Sequence, residues 1–332
     1  RVRQGSKIND DMFIVEKTIG FQQITFTTAQ INGFHILNAT KNSKFNWIMS
    51  FTNSAIYEPD LRFFNYDYDS TGHFAISYSA YPAPARFYRY MNEKNAAVKA
   101  NFICPNNKNT LKYVVSYTFK NRNSVARKYD ILSQGLPFDG NITEYLSDAS
   151  IGQNATNVPY GVYYQNDSIT DQFNSYNAYE HLAAANFLFE KSFTSSLFVQ
   201  FGVRYEFQNT FIENNVASYH PKYISASKTY YYDFLPSLNV NYSLTSSSNL
   251  RFGASRTLAR PSFREIAPYA YYDFKEGWRV VGNPELERTL INNLDLRYEL
   301  YLPNNQLISV SAFYKYFINP IELVDDPRAN NT

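Results

Sequence analysis

Apolar and polar residues alternate along much of this chain with the period of an extended strand. From Leu197 to Phe207, Leu197, Val199, Phe201, Val203, Tyr205 and Phe207 fall on one face, and Phe198, Gln200, Gly202, Arg204 and Glu206 on the other. A second run sets Leu294, Leu296, Tyr298 and Leu300 against Asn293, Asp295, Arg297 and Glu299. A third sets Leu111, Tyr113, Val115, Tyr117 and Phe119 against Lys112, Ser116, Thr118 and Lys120. A fourth sets Ile308, Val310, Ala312, Tyr314 and Tyr316 against Ser309, Ser311 and Lys315. Each run is about 10 to 13 residues long, near or above the roughly 9–11 that a tilted strand needs to cross a bilayer. Every charged residue in these four runs lies on the polar face, which spares the cost of a cation in lipid.

The connections alternate too. Short polar turns fall at Lys41–Ser43, Pro105–Asn109, Lys191–Ser195, Thr245–Asn249 and Pro303–Asn305. Long links run between them, from Ile56 to Lys94, Asn121 to Asn177, Asn209 to Tyr230 and Arg260 to Glu287. Short and long connections in alternation gather all turns at one end of a sheet and all loops at the other, the build of an outer-membrane barrel. The pattern predicts spanning strands near 21–38, 44–55, 94–104, 110–122, 177–189, 196–209, 230–243, 249–259, 288–301 and 306–317. A soluble β-sandwich also alternates. It predicts shorter strands, turns of similar length at both ends, and no need for aromatics at strand ends. Here Tyr205, Phe207, Tyr298, Tyr301, Tyr314 and Tyr316 stand near such ends, as an interfacial girdle requires.

Composition sharpens this reading. Aromatics make up 18% of the 332 residues, with 30 Tyr and 27 Phe, types that suit strands and half-wet boundaries. No apolar run reaches the roughly 18 residues of a spanning helix. Net charge is +2 with the basic residues scattered, so nothing marks a nucleic-acid face. Cys104 is the single cysteine, which excludes an internal disulfide. His35, His73, His181 and His220 lack metal-ligand spacing, and no catalytic motif appears, so no enzyme, cofactor or resident metal is expected. Asp67 and Asp69 are the loop acids a calcium ion would take. The chain starts Arg1-Val2-Arg3 without an apolar leader, so an export signal would be removed or encoded outside it.

Local motifs then point to a family. In order they are Phe45-Asn46-Trp47, Glu58-Pro59-Asp60-Leu61-Arg62, Ala85-Arg86-Phe87-Tyr88-Arg89, Leu182-Ala183-Ala184-Ala185 and Gly202-Val203-Arg204-Tyr205-Glu206. Leu235-Pro236-Ser237-Leu238 and the stretch from Arg256 through Arg260-Pro261-Ser262-Phe263-Arg264-Glu265 follow. Gly282-Asn283-Pro284-Glu285-Leu286, then Asn292 to Glu299, Ser311 to Lys315 and Asn319-Pro320-Ile321 complete the set. In order and spacing these resemble the barrels of TonB-dependent outer-membrane receptors, especially the branch with SusC-like relatives.

The resemblance implies an all-β transmembrane antiparallel barrel of about 22 strands, closed by an internal plug. It implies location in the outer membrane, crossed many times. Energy would arrive from a TonB complex acting on an N-terminal box. Residues 1–332 are expected to be a portion of that barrel, with plug, TonB box and C-terminal strands outside the chain. Expected partners are outer-membrane lipids, the TonB complex through N-terminal regions, a surface lipoprotein, and a metal chelate, oligosaccharide or peptide as ligand. The external loop from Arg260 to Glu287 holds the candidate ligand-binding residues Arg260, Arg264, Tyr269, Tyr271, Tyr272 and Trp278. Guanidinium groups could hold anionic parts of a ligand, and rings could stack on sugars or a chelate. The bland alternative is that the prolines fold this loop on itself and the rings pack locally. Passive porins and structural barrels of a larger envelope complex remain as competing functions.

Overall fold

A computed structural model describes residues 2–6, 12–38, 40, 42–77, 83–106, 109–134, 136–150, 153–155, 158–166, 175–214, 226–267, 270–273 and 278–324. The chain runs β1 (Val2–Ser6), β2 (Met12–Ile19), β3 (Gln23–Asn38), β4 (Ser43–Asp69), β5 (Phe74–Ile76), β6 (Ala85–Asn106) and β7 (Asn109–Gln134). It continues with α1 (Ile142–Tyr145), β8 (Gln153–Ala155), β9 (Val158–Asn166), β10 (Tyr176–Ser192), β11 (Leu197–Asn214), β12 (Ala226–Thr245) and β13 (Ser248–Ala259). α2 (Phe263–Ile266), β14 (Ala270–Asp273), β15 (Trp278–Val281), β16 (Thr289–Leu302) and β17 (Gln306–Ile318) complete it.

All ten expected spans are strands: β3, β4, β6, β7, β10, β11, β12, β13, β16 and β17 pair in that order, each antiparallel to the next. The sheet is open, because β17 pairs with β16 alone among the described residues. No helix is long and apolar enough to cross a membrane, a statement that leaves strands untouched. The short turns close as the pattern predicts. Asn42 has φ 52°, and Asn304 and Asn305 have φ 60° and 59°, left-handed values that Asn tolerates because its side chain can bond locally.

Register aligns the alternation from strand to strand. Phe45, Phe102, Tyr113 and Phe187 form one row of neighbours, and Phe201 is followed by Leu238 in the next ladder. This face exposes its large side chains, Phe201, Tyr205, Leu294, Leu296 and Tyr314 among them. The opposite face carries ion pairs between adjacent strands, Lys112 with Glu190 at 2.6 Å, Lys120 with Glu180 at 3.6 Å and Arg251 with Glu299 at 3.0 Å, and one along β16, Arg297 with Glu299 at 2.9 Å. One face apolar and exposed, the other charged and paired, is the distribution of a wall between hydrocarbon and a wet interior.

Several strands overshoot their expected ends. β4 runs to Asp69, β6 starts at Ala85 and β7 reaches Gln134, so much of the two expected long links is ladder. Away from the turns a strand need not keep an apolar face, so its sequence loses the alternation that betrays it. Pro59 also masks the continuation. It has no N–H, and the register between β4 and β6 shifts by one residue between Glu58 and Leu61. Beyond this bulge Phe64, Tyr66 and Tyr68 gather Phe74, Phe138 and Tyr145 in a ring cluster that α1 and β9 help cover. Phe64, Ile131 and Val162 are its buried centre.

The wall also forks. The β12–β13 ladder ends at Ser237 and Ser255, although β13 stays paired with β16 up to Ala259. The next position on β12 is Pro236, which has no N–H to donate.

Candidate functional site

Beyond the fork the chain folds onto the polar face of the sheet. β13 gives way to Arg260, whose Nε donates to Gln208 Oε1 at 2.6 Å and whose guanidinium pairs with Glu206. Both partners belong to β11, so this contact reaches past β12. Glu206 is 4% exposed and also takes the guanidinium of Arg204. Two cations on one buried carboxylate offset the cost of burying it and hold the loop's first foot.

Pro261 and Ser262 then start α2. Ser262 caps it by accepting from the Glu265 amide at 3.3 Å, and Glu265 Oε2 accepts in return from the Ser262 amide at 2.6 Å. This reciprocal box satisfies the free amides of a helix only one turn long. Phe263, Ile266 and Ala267 bury themselves against Tyr176 and Ala178 of β10 and Ile212 of β11. The Phe263 ring lies 5.6 Å from Lys120 Nζ and 5.4 Å from the Arg122 guanidinium carbon, both on β7. The segment therefore crosses from β13 to β7, over the width of three intervening strands.

The return path is fixed as tightly. The Asn283 amide donates to the Glu265 carbonyl at 2.7 Å. A Cβ on Gly282 would collide with the Ala267 carbonyl oxygen, so only glycine lets the two backbones approach. Arg288 Nε donates to Asp233 Oδ1 at 2.5 Å, and its guanidinium carbon stands 4.1 Å over the Tyr231 ring. Asp233, 2% exposed on β12, is the second foot. Asn319 Nδ2 donates to Glu287 Oε2 at 2.8 Å, and Thr289 Oγ1 to the Asn319 carbonyl at 2.7 Å, tying this foot to the end of β17.

The segment from Arg260 to Arg288 is thus a strap across the polar face, with an arginine–carboxylate clamp at each foot. Between the feet, among the described residues, β14 and β15 pair only with each other, from Ala270–Val281 to Asp273–Trp278. Of the six residues the sequence singles out, Arg260 is in the first clamp, and Arg264 lies on α2. Tyr271, Tyr272 and Trp278 belong to the β14–β15 hairpin. Tyr269 lies outside the described residues. The sequence does not reveal the partners of this strap. Glu206, Gln208, Asp233 and Arg288 carry only the signal of polar residues in alternating strands, and their pairings span more than fifty residues.

The other candidates resolve locally. Trp47 Nε1 donates to His35 Nε2 at 3.1 Å, and Tyr117 Oη lies 2.6 Å from His181 Nδ1, both on the apolar face. His220 lies outside the described residues. Asp69 Oδ1 accepts from Thr71 N, Thr71 Oγ1 and His73 N at 2.6 to 2.9 Å, which closes a turn. Among the described residues no group of three or more His, Cys, Asp or Glu could hold a metal ion.

Comparison with known proteins is decisive at the level of family. The family described as TonB dependent receptor-like, beta-barrel, matches residues 10–332. Solved structures similar to the chain include the ferric yersiniabactin uptake receptor FyuA from Yersinia pestis, at 10% identity and TM-score 0.43, over 92% of this chain and 45% of that one. The ferric citrate transporter FecA, unliganded, matches at 12% identity and TM-score 0.45, over 93% and 44%. The siderophore receptor PiuA from Acinetobacter baumannii matches at 9% identity and TM-score 0.40, over 94% and 51%. The chain spans about half the length of these structures. No curated protein matches it.

Proposed function

Because this chain belongs to the family of TonB-dependent receptor-like β-barrels, we propose that it is part of the wall of an outer-membrane transporter that actively takes up a scarce nutrient. The nutrient is a metal chelate, an oligosaccharide or a peptide. Energy comes from a TonB complex acting through a region outside residues 1–332, where the plug and the remaining strands of the closed barrel also lie. The order of motifs from Phe45 to Ile321 supports the SusC-like branch, and with it a surface lipoprotein as partner.

One observation carries this reading: the strap from Arg260 to Arg288, clamped at both feet to buried carboxylates of the polar face. A strap anchored at both ends to the interior side of the wall favours this loop as the element that meets a ligand. Arg264 and the hairpin residues Tyr271, Tyr272 and Trp278, together with Tyr269, are the proposed contacts, with Arg260 fixing the strap that carries them.

The test uses the full-length receptor in cells that depend on it for a limiting nutrient. Growth and uptake of labelled ferric chelates, oligosaccharides and peptides are measured with and without an energised inner membrane. Energy-dependent uptake that falls at least several-fold in Tyr271→Ala/Trp278→Ala, with normal surface expression, is expected. Uptake that persists unchanged without energy identifies a passive porin and overturns the proposal.

A further inference from the structure

Arg256 is out of place on the apolar face. On β13 the residues sharing its side are Leu250, Phe252, Ala254 and Leu258, opposite Tyr298, Leu296, Leu294 and Leu290 of β16. Arg256 itself stands opposite Asn292, and its Nε donates to Asn292 Oδ1 at 3.0 Å. Asn292 in turn faces Tyr316 of β17, an exposed ring on the same side. Other cations of this face stand at its margins. Lys191 lies at the turn end of β10, with its Nζ 4.8 Å from the Phe193 ring, and Lys228 lies beyond the ladder of rings, 5.1 Å from that of Tyr230. Arg256 lies between those margins, eight positions past Ser248, or about 20 Å above the turn for a strand tilted by about 40°. An apolar band is about 25 Å tall, so Arg256 falls just inside its outer edge.

The fork adds room there. The β12–β13 ladder ends one residue below Arg256, and Pro236 offers no N–H on that flank. Among the described residues the guanidinium has one hydrogen-bond acceptor, Asn292, and no carboxylate. A guanidinium at this depth is stabilised by an acceptor that hydrocarbon cannot give, and a phosphate fits its fork of donors two at a time.

We infer that Arg256, Asn292 and Tyr316 form a site on the outer wall for the phosphate of an outer-leaflet lipid headgroup. Arg256 makes the paired contact, Asn292 fixes the guanidinium, and the Tyr316 ring marks the interface at which the headgroup sits. The site rests on the outer-membrane placement proposed above, and concerns the wall, not the passage.

The experiment takes the full-length receptor in phosphatidylcholine vesicles, alone, with lipid A, or with dephosphorylated lipid A. Thermal unfolding and bound lipid by native mass spectrometry are recorded for wild type, Arg256→Leu and Arg256→Lys. Lipid A should raise the wild-type Tm and co-purify with it. Arg256→Leu should match or exceed the wild-type Tm in phosphatidylcholine, yet lose most of the lipid A response. Arg256→Lys should keep part of it. Dephosphorylated lipid A should do nothing for any of the three. An equal response in Arg256→Leu, or a response without phosphate, overturns the site. Should Arg256→Leu fail to assemble, the Lys variant and the phosphate-free lipid still decide. Uptake is read separately: its loss with the lipid response intact counts against transport, and the reverse counts against the lipid site.

Discussion

The halves of the long strands nearest the turns and the halves farthest from them obey different rules. Near the turns, one face is exposed and mostly apolar, and the other carries paired charges. Far from the turns, both faces carry mixed residues, and burial is supplied by neighbouring protein: α1, β9 and the ring cluster on one part of the sheet, the strap on another. Burial in the first half is completed by lipid, so its side chains look unburied in the protein alone. Burial in the second half is completed by the chain itself, in water, and behaves like an ordinary core.

The largest expected effect probes the far half. Phe64→Ala removes a ring from the centre of the cluster and should destabilise that region by about 3–5 kcal/mol, read as new proteolytic cuts in 60–77 and 130–150 on intact cells. Loss of membrane assembly instead would break the division between halves. Next, Leu296→Arg, six positions from Leu302 on the apolar face, should cost roughly 2–4 kcal/mol of barrel stability in vesicles. The same change at Tyr90, sixteen positions from the turn end of β6, should cost under about 1 kcal/mol. Equal costs would mean that the lipid boundary lies elsewhere. Third, Glu206→Gln unpairs Arg260 and Arg204 and should cost about 2 kcal/mol, less than a fully buried pair because Arg204 stays one-third exposed. Hydrogen exchange should quicken in 260–288 and not in the sheet beneath.

The smallest effect is one of acidity, outside the spanning segments. Burial alone would raise the Asp60 pKa, but hydrogen bonds from Arg86 and Arg62 outweigh it and hold the carboxyl below its ordinary value. A lowered folded-state pKa stabilises above the unfolded value, and that contribution is lost as pH falls through the lowered one. Acidification below the usual carboxylate range should therefore loosen the β4–β6 extension by a small amount. Asp60→Asn should abolish that acid dependence while leaving assembly unchanged.

Legibility in the sequence follows the same division. Leu197–Phe207 and Leu290–Tyr301 announce their strands because lipid demands a strict alternation there. The strands that extend past Ile56 and Asn121 were hidden, since Glu58, Asp60, Arg86 and Arg89 can pair across a ladder in water without any periodic signature. In the strap, the capping box of Ser262 and Glu265 could be read as a helix start, and Gly282 as a close approach. The clamps could not, because Arg260 and Glu206 meet only when β13 departs from β12 at the fork. The candidate binding residues of the same loop are legible by residue type, arginines and aromatic rings, and not by any spacing.

The bulge at Pro59 sets a counting rule for the far end of β4. Past it, the chain has used up one extra position, so every later residue of β4 has swapped sides relative to an unbroken strand. Deleting Pro59 would remove that extra position and leave Leu61 opposite Phe87, so Phe64, Tyr66 and Tyr68 would keep their side, whereas one residue lost just past Leu61 would turn the rest of the strand over and deliver Asn65 and Asp67 in place of the rings. Past the bulge, insertions and deletions should therefore be tolerated two residues at a time and resisted singly, while at the bulge itself a single deletion should be absorbed.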